Sequence, residues 1–233
     1  MNRLLVNGCS YMNGYAAGNG HIDLAQQLNI AKAESHAIPG SCNDRIIRTT
    51  LKDSYTTTDS TLYVIGLSFL SRSELPINSI DDKFEGQWIS ITNEPSLNLQ
   101  YQVGWTQSLV DQYIDLRLKY QMYSIADRLE DLMYRILSTI ADLKSRGHQV
   151  LVYKQVNDVY EKFYNESQFS LLKKSANIIN GLEWCANDWQ YAHGVEWDFR
   201  DAKLPLEVRH PKIGQFHVLN EFLIKYIQDN KLL

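Results

Sequence analysis

The sequence has little of several things, and each shortage excludes a class of protein. Only three cysteines occur among 233 residues. Cys9, Cys42 and Cys185 lie far apart, so they form neither a disulfide framework nor a CxxC metal or redox site. Prolines number five, and no linker-like stretch divides the chain. No apolar run approaches the ~20 residues needed to span a membrane. Positive charge is not in excess either, with 23 Lys+Arg against 27 Asp+Glu and a net charge of −4. A chain without a basic run is not built to neutralise nucleic-acid phosphates. The apolar run at the start, Leu4-Leu5-Val6, stops at Asn7 and is too short for the core of a leader peptide. A cytoplasmic protein with no membrane or nucleic-acid partner is the default expectation. What is present is a hydrophobic share of 44%, enough for a packed core, together with 14 Tyr and 5 Trp.

Along the chain, strand and helix patterns alternate. Arg3–Asn7 reads as a short buried strand, residues 22–28 as an amphipathic helix, and residues 32–38 as a weak polar strand. A helical pattern carrying Ile46, Ile47 and Leu51 follows. Thr61–Gly66 is rich in β-formers and bounded by turn residues, which marks the third strand. From Ile125 to Leu143 the apolar residues keep to one helical face, and Gly147 stands where a helix-ending glycine is expected. Gln149–Tyr153 is a fourth strand, and a last helix covers residues 214–228. Residues 75–124, with a hairpin fragment at 84–91, and residues 156–205 break this rhythm. One domain over 1–233 with two insertions is the simplest organisation, and all five Trp fall inside the insertions. The alternation predicts a parallel sheet covered by helices.

In open parallel sheets, ligands bind at the carboxyl ends of the strands. Three of those ends carry glycine and small polar residues: Gly8-Cys9-Ser10, Gly40-Ser41-Cys42-Asn43 and Gly66-Leu67-Ser68. Backbone N–H groups there suit a developing negative charge. Glu207-Val208-Arg209-His210-Pro211 precedes the final helix, and a carboxylate three residues ahead of a histidine can orient its imidazole. Gly14, Gly18 and Gly20 lack the spacing and the Gly-Lys-Ser/Thr ending of a phosphate loop. His210 and His217 have no third ligand at matching spacing, so no metal is expected.

On these residues the sequence resembles the SGNH, or GDSL-type, hydrolases. Gly8-Cys9-Ser10-Tyr11 resembles the block that holds the nucleophile. Residues 37–46, Ala-Ile-Pro-Gly-Ser-Cys-Asn-Asp-Arg-Ile, resemble the second block, Val64–Ser68 the third, and Glu207–Pro211 the block that supplies acid and base. Gly-Cys-Ser starts followed by Asn-Asp-Arg-Ile blocks also occur in phage and marine bacterial sequences, which fits a phage-encoded origin. The resemblance implies a three-layer α/β/α sandwich with a five-stranded, flavodoxin-like parallel sheet of order 2-1-3-4-5. It implies a cofactor-free serine esterase with Ser10 as nucleophile, His210 as base and Glu207 as acid. Ser10 and Gly40 would form the oxyanion hole, helped by Ser68 or Asn43. The chain departs from the family at Ser68, where a Gly-x-Asn asparagine is usual, and at Glu207, where Asp is usual.

The expected substrate is a small-molecule or glycan ester, with O-acetyl groups on a carbohydrate preferred. Arg72, Trp88 and Trp184 are its candidate binding residues. The competing readings are a weakened SGNH-fold module that binds a glycan or protein, and an O-acyltransferase. Plainer roles stand beside the functional ones. Asn43 and Asp44 suit a helix cap, Arg72, Glu74 and Arg45 suit ion pairs that pin loops, and Cys9 suits a small apolar position.

Overall fold

A computed structural model of the chain describes residues 1–70, 72–77, 87–91, 125–156, 166–198, 210–212 and 214–233. Its centre is a parallel sheet built from β1 (Arg3–Asn7), β2 (Lys32–Ser35), β3 (Thr61–Leu67) and β6 (Gln149–Lys154), in the order β2-β1-β3-β6. β1 and β3 are buried along their whole length, as continuous apolar runs covered on both faces should be. β2 lies at the edge, and its polar Lys-Ala-Glu-Ser sequence is accordingly half exposed.

Successive strand residues face opposite layers. Leu4, Val6, Leu62, Val64, Leu151 and Tyr153 point to one face. There they meet α1 (Ser10–Ala17), α2 (Gly20–Gln27) and the last helix, α7 (His217–Asp229). Leu5, Tyr63, Ile65, Val150 and Val152 point to the other face. They are covered by α3 (Asn43–Thr56) and the 21-residue α4 (Ile125–Ser145), through Ile46, Leu132, Ile136 and Leu143. The result is the expected three-layer α/β/α sandwich.

The parallel sheet has four strands among the described residues, not the five expected. The chain does run beside β6 again, through parallel bridges Val152–Ile178 and Lys154–Cys185. Between them Asn180, Gly181 and Leu182 all adopt positive φ, and Ile179–Leu182 forms a 3₁₀ turn. Left-handed backbone cannot continue a ladder, so the fifth position holds a turn instead of a strand.

Of the first insertion, β4 (Ser73–Ile77) and β5 (Gln87–Ile91) pair antiparallel, Pro76 opposite Trp88. Of the fragment expected at 84–91, residues 87–91 thus form a strand whose antiparallel partner begins before residue 75, while 84–86 lie outside the described residues. In the second insertion, residues 166–198 include α5 (Glu166–Lys173) and α6 (Ala186–Ala192). These helices have eight and seven residues, too short for their periodicity to register in a largely polar stretch.

Candidate active site

The turn after β1 is shaped by glycine. A Cβ on Gly8 would sit 2.3 Å from Met12 Cγ and 2.9 Å from the Gly66 carbonyl oxygen, so no larger residue fits. Its absence lets α1 start immediately beside the strand, with Cys9 at the N-cap and Ser10 as the first helical residue. Asn7 locks this turn. Its Oδ1 accepts from Gly8 N at 2.9 Å, and its Nδ2 donates to Ile46 O, Thr49 Oγ1 and Thr50 Oγ1 on α3. Gly8 and Gly66 are therefore small because Met12 packs between the strand ends, not because a ligand approaches them. Cys9 is fully buried beside Tyr11 and Val156, as a small apolar residue.

The half-buried Ser10 Oγ lies 2.8 Å from His210 Nε2, although the residues are 200 positions apart. The Tyr11 ring stacks on the His210 imidazole, with centroids 4.4 Å apart and an interplanar angle of 20°. A short bracket holds the histidine backbone. Asp198 N donates to His210 O at 2.9 Å, and Lys212 N donates to Glu196 O at 2.8 Å. Between these bonds Trp197 faces Pro211 in an antiparallel bridge. Nothing in the local sequence near either segment announces this bracket, because it joins residues brought together only by the fold.

The loop after β2 approaches from the other side. Ile38 N donates to Gly8 O at 3.2 Å, and Asn13 Nδ2 donates to Ala37 O at 3.3 Å. Gly40 has φ +78°, a left-handed turn that favours glycine. Ser41 Oγ donates to Ile38 O and accepts from Arg45 Nη1. Asn43, the next helix's first residue, turns toward β3: Oδ1 accepts from Ser68 N at 2.7 Å, and Nδ2 donates to Ser68 O at 3.1 Å. The carboxamide thus mimics a strand partner for Ser68. Ser68 itself is fully buried, and its Oγ accepts from Arg72 Nη1 at 3.0 Å.

The structure brings Ser10 and His210 together, and ties residues 37 and 38, ahead of Gly40, to Asn13 and Gly8. It commits Asn43 and Ser68 to a clasp between the second and third strand loops. Trp184 stacks on Phe222 of α7, centroids 4.4 Å apart, within a cluster that includes Tyr153 and Trp189. It is part of the packing between the sheet and α7. Glu207 and the side chain of Trp88 lie outside the described residues. A cavity of about 820 Å³ adjoins the clasp and is lined by Asn43, Leu70, Arg72, Arg128, Tyr134 and Arg135. Among the described residues one trio of possible metal ligands converges, Glu34, His36 and Asp53. There the Arg3 guanidinium already bonds both carboxylates, at 3.0 Å from Nε to Glu34 and 2.7 Å from Nη1 to Asp53, which satisfies the charge a cation would neutralise.

A serine hydroxyl lies beside an imidazole, at a helix N-terminus and a strand's carboxyl end, an arrangement in which the imidazole can take the hydroxyl proton. No protein-family model and no curated protein matches the sequence. Solved structures do match. The psychrotrophic esterase EstA of a Pseudoalteromonas species, in a structure inhibited by monoethylphosphonate, aligns over 98% of each chain at 9% identity, with a TM-score of 0.50. LAE5, an α/β hydrolase enzyme from the metagenome of Lake Arreo, Spain, aligns over 97% of this chain and 95% of its own at 9% identity, also with a TM-score of 0.50. The chain has an SGNH-like hydrolase fold.

Proposed function

We propose that the protein is a serine esterase that cleaves small acyl esters through an acyl-enzyme. The observation that carries this reading is the 2.8 Å approach of His210 Nε2 to Ser10 Oγ. That distance suits transfer of the serine proton to the imidazole as the oxygen attacks. Ser10 Oγ bonds to the acyl carbon, its proton passes to His210 Nε2, and the carbonyl π electrons move onto oxygen. The backbone N–H groups of Ser10 and Gly40 receive that oxyanion. The tetrahedral intermediate then collapses, and the departing alcohol takes the proton from His210. Water repeats the sequence on the acyl-serine and frees the acid. Glu207, three residues ahead of His210, serves as the carboxylate that orients the imidazole.

An O-acetylated carbohydrate remains the preferred substrate. The Tyr191 and Trp197 rings stack with centroids 5.6 Å apart, Trp197 pairs with Pro211 beside His210, and Tyr191 is 52% exposed. The exposed Tyr191 ring, stacked on a residue whose backbone pairs with Pro211, suits a sugar ring.

The same fold occurs in an esterase solved with a phosphonate inhibitor, so a fluorophosphonate probe is the direct test. The probe should add to Ser10, and Ser10→Ala should abolish labelling and lower p-nitrophenyl acetate hydrolysis by at least about 10³-fold. An unlabelled wild-type protein, under conditions that label a control esterase, overturns the reading.

A further inference from the structure

The third block is one of two places where this chain departs from the pattern it resembles, and its surroundings lie among the described residues. Ser68 stands in the asparagine's place, yet it is fully buried and its hydroxyl accepts from Arg72 Nη1 at 3.0 Å. Asn43, the other candidate donor, is turned toward the Ser68 backbone, giving Nδ2–H to its carbonyl and accepting its N–H at Oδ1. A two-donor hole built from Ser10 N and Gly40 N is left short of the third group. Removal of one such donor typically costs ~10²–10³ in rate.

We propose that Arg72 supplies the missing third group, its guanidinium stabilising the oxyanion that forms at Ser10. This rests on the esterase reading above. Three observations place the cation. β1 and β3 run parallel and in register, Asn7 opposite Ile65, so Ser10 and Ser68 leave neighbouring strand ends at the same level. The Arg72 Nη1 that holds Ser68 Oγ also lies 3.5 Å from Ser41 O, one residue beyond Gly40. The Arg72 Cζ sits 4.7 Å above the Phe69 ring, which fixes the plane of the fork. Arg72 thus spans the Gly40 loop and the Ser68 loop, the two that flank the hole.

The chemistry favours the exchange. A guanidinium carries five N–H donors in a rigid plane, and the described contacts of Arg72 use only Nη1. Nε and Nη2 remain to meet a ligand, while Nη1 anchors the group. A charged donor makes a stronger hydrogen bond than a carboxamide does. Arg72 is also only half-buried, whereas the Ser68 hydroxyl it holds is fully enclosed.

The test uses a neutral substrate, p-nitrophenyl acetate, for which an arginine has no ground-state anion to bind. Arg72→Ala should lower kcat about 10²-fold and leave KM within about threefold. Millimolar guanidinium, far below denaturing concentrations, should restore at least about tenfold of the loss, which a purely structural arginine would not permit. Arg72→Met keeps the stem over Phe69 without the charge, serves if the alanine variant does not fold, and should show the same fall in kcat. A kcat within about threefold of wild type in a folded variant, a loss confined to KM, or a deficit that guanidinium leaves untouched overturns the proposal. Wild-type labelling of Ser10 is run alongside. Its absence overturns the esterase reading itself, whereas labelling with an indifferent Arg72 overturns only this inference.

Discussion

His210 comes from the far end of the chain, and its described contacts include three of different kinds. Hydrogen bonds from the 196–198 segment fix its backbone, Ser10 Oγ meets Nε2, and Tyr11 covers one face of the imidazole. The Tyr11 ring is the contact most open to test, because it follows the nucleophile directly and is 3% exposed. A stacked pair is worth ~0.5–1.5 kcal/mol beyond the area it buries. If that energy holds the imidazole in line, Tyr11→Leu should slow phosphonate labelling of Ser10 about two- to tenfold. Tyr11→Phe, which retains the ring, should stay within about twofold of wild type. Equal rates for all three proteins would show that the Tyr11 ring does not position the base.

Among the elements, α1 bears most directly on the chemistry, because its first residue is Ser10. Its start is jammed against the sheet by Met12, whose Sδ accepts from Tyr153 Oη at 2.9 Å. Gly8→Ala should therefore cost ~1–3 kcal/mol through overpacking, since one of the two clashing neighbours is backbone. For a chain of this size that is a fall in Tm of roughly 2–12 °C, measurable by scanning calorimetry. Displacement of α1 should also cut Ser10 labelling more than the lost stability explains. A variant that melts normally and labels normally would mean that Met12 yields without moving the helix.

The elements also show what a sequence can reveal. β1, β3, β6 and α4 are legible because each carries its own apolar period, and a buried run or a one-sided helix needs no partner to be recognised. The strand ends are legible for the same reason: Gly8–Tyr11 and residues 37–46 are short local patterns. The missing fifth strand was not, since it turns on the left-handed backbone of Asn180–Leu182. Nor was the use of Asn43, Ser68 and Arg72. A carboxamide can cap a helix, line a hole or clasp a strand with equal chemical ease. Only the spacing between loops decides among them, and that spacing is a product of the whole fold. Trp184 shows the same limit, as an aromatic residue in an insertion that proves to pack between the sheet and α7.

Over the whole molecule, the two ends of the sheet have different tasks. The carboxyl ends gather Ser10, Gly40 and Ser68, whereas the amino ends are tied by ionic contacts centred on Arg3. The Arg3 side chain is 4% exposed and bonds Asp53 at 2.7 and 2.8 Å and Glu34 at 3.0 Å, while Tyr63 Oη donates to Asp53 at 2.8 Å. Burial works against ionisation of Asp53, but the bonds from Arg3 and Tyr63 outweigh it and hold the carboxyl below its ordinary 3.8. A carboxyl lowered by folding binds fewer protons folded than unfolded just below that ordinary value. Its contribution is therefore complete above about pH 5 and fades as pH falls through the folded value. Removing one partner of a buried pair costs ~3–5 kcal/mol because the other charge is left stranded. In Asp53→Asn, Arg3 keeps Glu34 as a counter-charge, so the loss at pH 7 should be smaller, ~1–3 kcal/mol, read from the urea midpoint. The gap between variant and wild type should then narrow between about pH 5 and pH 3, as wild type loses the same contribution. Labelling of Ser10 at pH 7 should be unchanged in the folded variant, since Asp53 pairs at the opposite end of the sheet. A gap that stays constant down to pH 3 would place the stabilisation in neutral packing, and a loss of labelling would show that the two ends are coupled through β1.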